Sequence, residues 1–131
     1  MELVDLHNAI RTICYNMLVA LNIPRKFDND PTKLADNGLR CRVHIDTQDN
    51  SKIALGVEQY RFQGDVIINV FDDVEKGDKT ILTAVGSMIR TFQTGSTSNV
   101  VFQSPQVTIL GIRDAAYQIN IAIPFKSEQY E

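Results

Sequence analysis

The feature that most constrains this chain is a change of period. From Tyr60 to Phe71 the sequence YRFQGDVIINVF alternates at every step. Tyr60, Phe62, Gly64, Val66, Ile68 and Val70 share one side; Arg61, Gln63, Asp65, Ile67, Asn69 and Phe71 share the other. A period of two held this long predicts a strand, with Gly64 marking a bulge or a close approach. From Asp78 the period becomes 3.6: Ile81, Leu82, Val85, Met88, Ile89 and Phe92 form one stripe, which predicts an amphipathic helix to about Gln93. Asp78 is placed to cap it, its carboxylate accepting from the first-turn amides. Strand and helix joined by a short connection restrict the chain to folds in which helices cover a sheet.

The flanking segments obey the same two periods. Leu3, Leu6, Ile10, Ile13, Cys14, Met17 and Leu21 predict a first helix over residues 2–22, stopped by Pro24. FDNDPTKLADNG, 27–38, is loop by its turn chemistry. In LRCRVHID, 39–46, Leu39, Cys41, Val43 and Ile45 alternate with Arg40, Arg42, His44 and Asp46, the pattern of a half-buried strand. Residues 47–59 read as a long hairpin loop, with room for short extensions of both flanking strands. Strands follow at 100–103, 106–114 and 116–125, with a turn at Arg113–Ala115 and a polar tail, SEQYE. Pro124 cannot donate to a ladder and belongs near a strand end or on an edge. The reading is an α+β domain of two layers, a mixed or antiparallel β-sheet packed against two amphipathic helices. It occupies 1–131 as one unit without repeat or linker.

Candidate chemistry is sparse. Asp72, Asp73, Glu75 and Asp78 gather with Gly77 after the long strand. With Gly77 at the sixth position of a calcium loop, Asp72 comes first. Val74 and Lys76 then fall where oxygen ligands belong, and Thr83 where a bidentate Glu belongs. The cluster reads instead as a solvated corner. His7 and His44 take surface or rim positions, without partners at triad or metal spacing. Cys14 and Cys41 lie on apolar faces and read as buried, reduced thiols. No GxSxG, HExxH, GxGxxG or phosphate-loop motif occurs. The reading is of a protein that is not an enzyme and uses no cofactor or metal.

Charge and hydropathy narrow the partners. The formal net charge of −3 gives no general support for a duplex-binding module. Arg40, Arg42 and His44 nonetheless share one wet strand face, which reads either as a phosphate or DNA contact or as a cross-strand pairing face. MELVDLHNAIRTI lacks a basic start and an unbroken apolar core, so it does not read as a signal peptide. No run approaches the ~20 apolar residues of a membrane span. A cytosol-like compartment is expected.

Taken in order, four features resemble the small tail-terminator (tail-completion) proteins of long-tailed, siphovirus-type bacteriophages. They are the N-terminal helix, the stretch FDNDPTKLADNGLRCRVHI, the stretch YRFQGDVIINVFDDVEKGDKT, and SPQVTILGIRDAAYQINIAIPF with its final proline and aromatic. The resemblance covers most of the chain. It implies a homo-oligomeric ring, typically a hexamer, seated on the last ring of the tail tube at the head-proximal end of the virion. There it would stop tube polymerisation and offer a surface for head joining, after assembly in the host cytoplasm. The implied partners are other copies, the major tail tube protein, the neck or head-completion protein and the tape measure protein. DNA would pass through the lumen without specific binding. Asn50, Ser51 and Lys52 in the 47–59 loop, Arg61, Gln63, and the corner residues Asp72, Asp73 and Glu75 are the expected subunit or tube contacts. The alternatives are a neck or connector subunit, a tube-like protein, and a small α+β binding module or enzyme.

Overall fold

The computed structural model describes residues 3–28, 30–31, 33–49, 60–95 and 100–128. The elements run α1 (Leu3–Ala20), β1 (Arg25–Phe27), β2 (Arg40–Asp49), β3 (Tyr60–Asp73), a 3-10 turn (Val74–Lys76), α2 (Lys79–Thr94), β4 (Val100–Phe102), β5 (Gln106–Arg113) and β6 (Ala116–Glu128). This is the expected α+β fold, with two helices and a six-stranded mixed sheet among the described residues. β1 pairs parallel to β2, and every other pairing is antiparallel. The order is β1-β2-β3-β6, and β4 and β5 both pair with β6.

Register decides which face is dry. Cys41 lies opposite Val70, and Val43 opposite Ile68; Val66, Ile68 and Val70 oppose Ile123, Ile121 and Ile119. All of these are buried, on one face, and both helices pack there. Leu6, Ile10, Cys14, Met17 and Leu18 come from α1; Ile81, Ala84, Val85, Met88 and Phe92 come from α2. Phe92 meets Phe102 of β4 edge-to-face, with centroids 5.1 Å apart. The opposite face of the sheet carries no helix among the described residues.

Several local details differ from the sequence expectation. Asn22, not Pro24, ends α1. It adopts φ 61°, Ile23 N–H donates to Leu18 O and Asn22 N–H to Val19 O, the two bonds of a Schellman cap. β1 falls between the expected helix and the expected loop, sharing only Phe27 with the latter; three residues carry too little alternation to announce a strand. Asp78 does precede α2, but its carboxylate makes no capping bond; its backbone carbonyl accepts from Leu82 N–H instead. Gly64 is a close approach: a Cβ there would stand 1.8 Å from Asp46 O.

Pro124 lies inside β6, with β3 on one side. The reason it is tolerated is a break in its other neighbour. A residue's N–H and C=O point to the same side of a strand, and Pro124 O accepts from Gln103 N–H. The missing donor therefore faces residues 103–105, which separate β4 from β5. Pro124 sits at a local edge within an otherwise central strand.

Candidate interaction surfaces

The acidic corner divides on inspection. β3 runs two residues past Phe71, so the alternation that buries Val66, Ile68 and Val70 carries Asp72 to the same side. Asp72 is fully buried. Its Oδ1 accepts from Asp73 N–H at 2.8 Å, and its Oδ2 has no partner among the described residues. The expectation of a solvated Asp72 available for contact is therefore corrected. Asp73 is half-buried and ties the chain together, accepting from Gly38 N–H at 3.0 Å. Glu75 is exposed. Gln63 is half-buried and lines a shallow hollow with Asp46, Asp65 and Lys126. Asn50, Ser51, Lys52 and the rest of 50–59 lie outside the described residues, as does the Arg61 side chain.

The three residues of the wet strand face also separate. Arg40 is locked: Nη1 donates to Gly38 O at 2.8 Å and lies 3.9 Å from Asp73 Oδ1, while the guanidinium sits over the Phe71 ring. Only 14% of its side chain is exposed, so its task is to hold the corner. His44 pairs through Nδ1 with the Asp28 carboxylate. Arg42 stays exposed and has no hydrogen-bond or ion-pair partner among the described residues. Sequence alternation put all three on one face correctly, but could not show which were already engaged.

Sequence reasoning missed the outer edge of β5. Its inner edge pairs with β6, while no described strand pairs its outer edge. Val107 opposes Ile121, Ile109 opposes Ile119 and Ile112 opposes Tyr117, so all three lie on the helix-bearing face. The helices do not reach them: Val107, Ile109 and Ile112 are 40%, 56% and 63% exposed. Gly111 at φ 75° absorbs a register shift that keeps Ile112 on that face, and the β5–β6 turn has positive φ at both Asp114 and Ala115. The sequence signal existed in QVTILGI, seven residues without a charge. Its alternation names a strand, not whether anything covers it.

The other edge of the sheet is handled differently. Lys33, Leu34 and Ala35 line hollows on both sides of β1, so this segment runs along its outer edge. The hollow on the helix side, about 750 Å³, lies against α1. Two of its cations stack on its own rings: Arg11 over Phe27 at 4.9 Å and Arg25 over Tyr15 at 5.0 Å. Cys14 and Cys41 sit in the core; burial pushes both thiols up to about 12, against a smaller lowering of Cys41 by the Arg25 charge. Thiols held protonated in this way are poor nucleophiles. Among the described residues no three His, Cys, Asp or Glu side chains are grouped to hold a metal ion, and no helix is long and apolar enough to cross a membrane.

Comparison with known proteins locates the chain by shape alone. No family model matches it, and no curated protein does. Three solved chains match. One of them, a protein that carries only a sequence number for a name, aligns with a TM-score of 0.66 at 13% identity, over 95% of this chain and 97% of its own. The likeness is one of fold, and it spans nearly the whole length of both chains.

Proposed function

We propose that this chain is a structural tail-terminator protein of a long-tailed bacteriophage. In this reading it forms a ring on the tail tube, halts tube growth and presents a joining surface to the neck or head. The observation that carries the proposal is the bare, apolar edge of β5. An exposed eight-residue strand edge with Val107, Ile109 and Ile112 uncovered is a template for pairing with another chain. A soluble domain keeps such an edge when a partner is meant to occupy it. Backbone ladders supply the affinity, and the three apolar side chains supply the fit.

A ring follows when such a contact is heterologous and closes by rotation. Tube growth stops when the surface presented on the far side no longer matches a tube subunit. The net charge of −3 per copy suits a lumen through which DNA passes without being held. Exposed Glu75 and half-buried Gln63 remain candidate contacts in this reading, as does half-buried Asp73 at its edge.

Electron microscopy of tails assembled without the protein tests the proposal. Overlong tubes without heads are expected. Tails of normal length joined to heads would end it, and self-polymerisation of the purified protein into tubes would favour a tube-like subunit.

A further inference from the structure

The helix-free face of the sheet carries a row of polar side chains that the register alone assembles. Lys26 lies opposite Arg42, Arg42 opposite Asn69, and Asn69 opposite Asn120. Two like charges directly opposed on neighbouring strands are unfavourable unless something neutralises them. Among the described residues neither Lys26 nor Arg42 has a hydrogen-bond or ion-pair partner that does so. Asn120 Nδ2 donates to Asn69 Oδ1 at 2.6 Å, which leaves the Asn69 amide nitrogen as an uncommitted donor.

These three side chains help line a cleft of about 580 Å³, with Leu34, Ala35 and Phe71 as apolar wall. That volume falls within the range of small-ligand sites. We infer that the Lys26–Arg42–Asn69 row binds the phosphoryl group of a small ligand. Two unpaired cations match a dianion better than a single carboxylate, and a guanidinium fork, an ammonium and an amide together suit a group with three terminal oxygens. Asp36 and Asp114 also line the cleft, which disfavours a long polyanionic strand and favours a compact anion. Lys33 offsets the Asp36 charge at 3.6 Å. The inference is independent of the assembly reading, because the row and the β5 edge share no residue.

The test is a titration followed by backbone amide shifts at low, fixed ionic strength, with inorganic phosphate, adenosine monophosphate, acetate and chloride as separate arms. Saturable shifts at Lys26, Arg42 and Asn69 are expected with phosphate and with the nucleotide, and markedly weaker ones with acetate. Tighter binding of the nucleotide, with added shifts at Leu34 and Phe71, would identify a phosphate ester as the ligand; equal binding would identify free phosphate. Lys26→Ala and Arg42→Ala should each weaken binding roughly tenfold, the scale of losing one charge-assisted hydrogen bond. Lys79→Ala, in the helix layer, should leave it unchanged. Linear shifts equal to those in chloride, acetate binding as strong as phosphate, or binding that survives in both row variants would overturn the inference.

Discussion

The two edges of the sheet meet the same problem in opposite ways. β1 is three residues long, carries Arg25 and Lys26, and has residues 33–35 running along its outer side. β5 is eight residues long, uncharged until Arg113, and unpaired on its outer side among the described residues. Short, charged or covered edges are how sheets avoid pairing with strangers. The chain applies all three devices at β1 and none at β5. Under the assembly proposed above, the contrast makes β1 a boundary of the fold and β5 the side offered to another chain.

Substitutions on each side should therefore fail in different assays. The largest effect is expected from Ile109→Asp combined with Ile112→Asp: loss of tail capping in an assembly assay, with unfolding stability changed by no more than about 0.5 kcal/mol, the usual range for exposed positions. Unfolding of the variant at neutral pH would dissolve the contrast. Next comes Phe27→Ala in β1, which removes a buried ring from the core cluster and from beneath Arg11. A cost of about 3–5 kcal/mol is expected from denaturant unfolding, the scale of such truncations; a loss below 1 kcal/mol would show that β1 is as loosely held as β5.

The smallest effect near neutrality is a pH dependence on the β1 side. Cys41 lies opposite Arg25 in the β1–β2 pairing, and burial holds its thiol and that of Cys14 protonated up to about 12. In the unfolded chain both ionise nearer 8.5. The folded state then keeps protons that the unfolded state loses. The stabilisation is complete below the unfolded value and falls as pH rises towards 12. Thermal midpoints should fall across that window, with β2 amides losing exchange protection before those of the β5–β6 hairpin. Flat midpoints would exclude the thiols as the cause.

Much of this architecture is legible in the sequence because it rests on local periodicity. The long β3 strand, both helices, the Gly64 close approach and the final hairpin all come from patterns within one segment. What escapes depends on relations between segments. β1 is too short to carry a pattern. Asp72 is buried because β3 continues past the point where its residues cease to look strand-like. Pro124 is tolerated inside β6 because of a gap between β4 and β5, some twenty residues earlier in the chain (residues 103–105). The polar row crosses several strands and exists only through their registers, and the exposure of β5 depends on how far the helices extend.

The interruption at residues 103–105 also limits what β5 can accept. Pro105 has no N–H, and β4 beyond it is held down by the Phe92–Phe102 contact. A strand arriving along β5 can zip for about eight residues, roughly 27 Å at the usual rise, before the rungs run out. Such an end stop fixes where an incoming segment begins and finishes, so one docked chain cannot slide into a continuous ribbon.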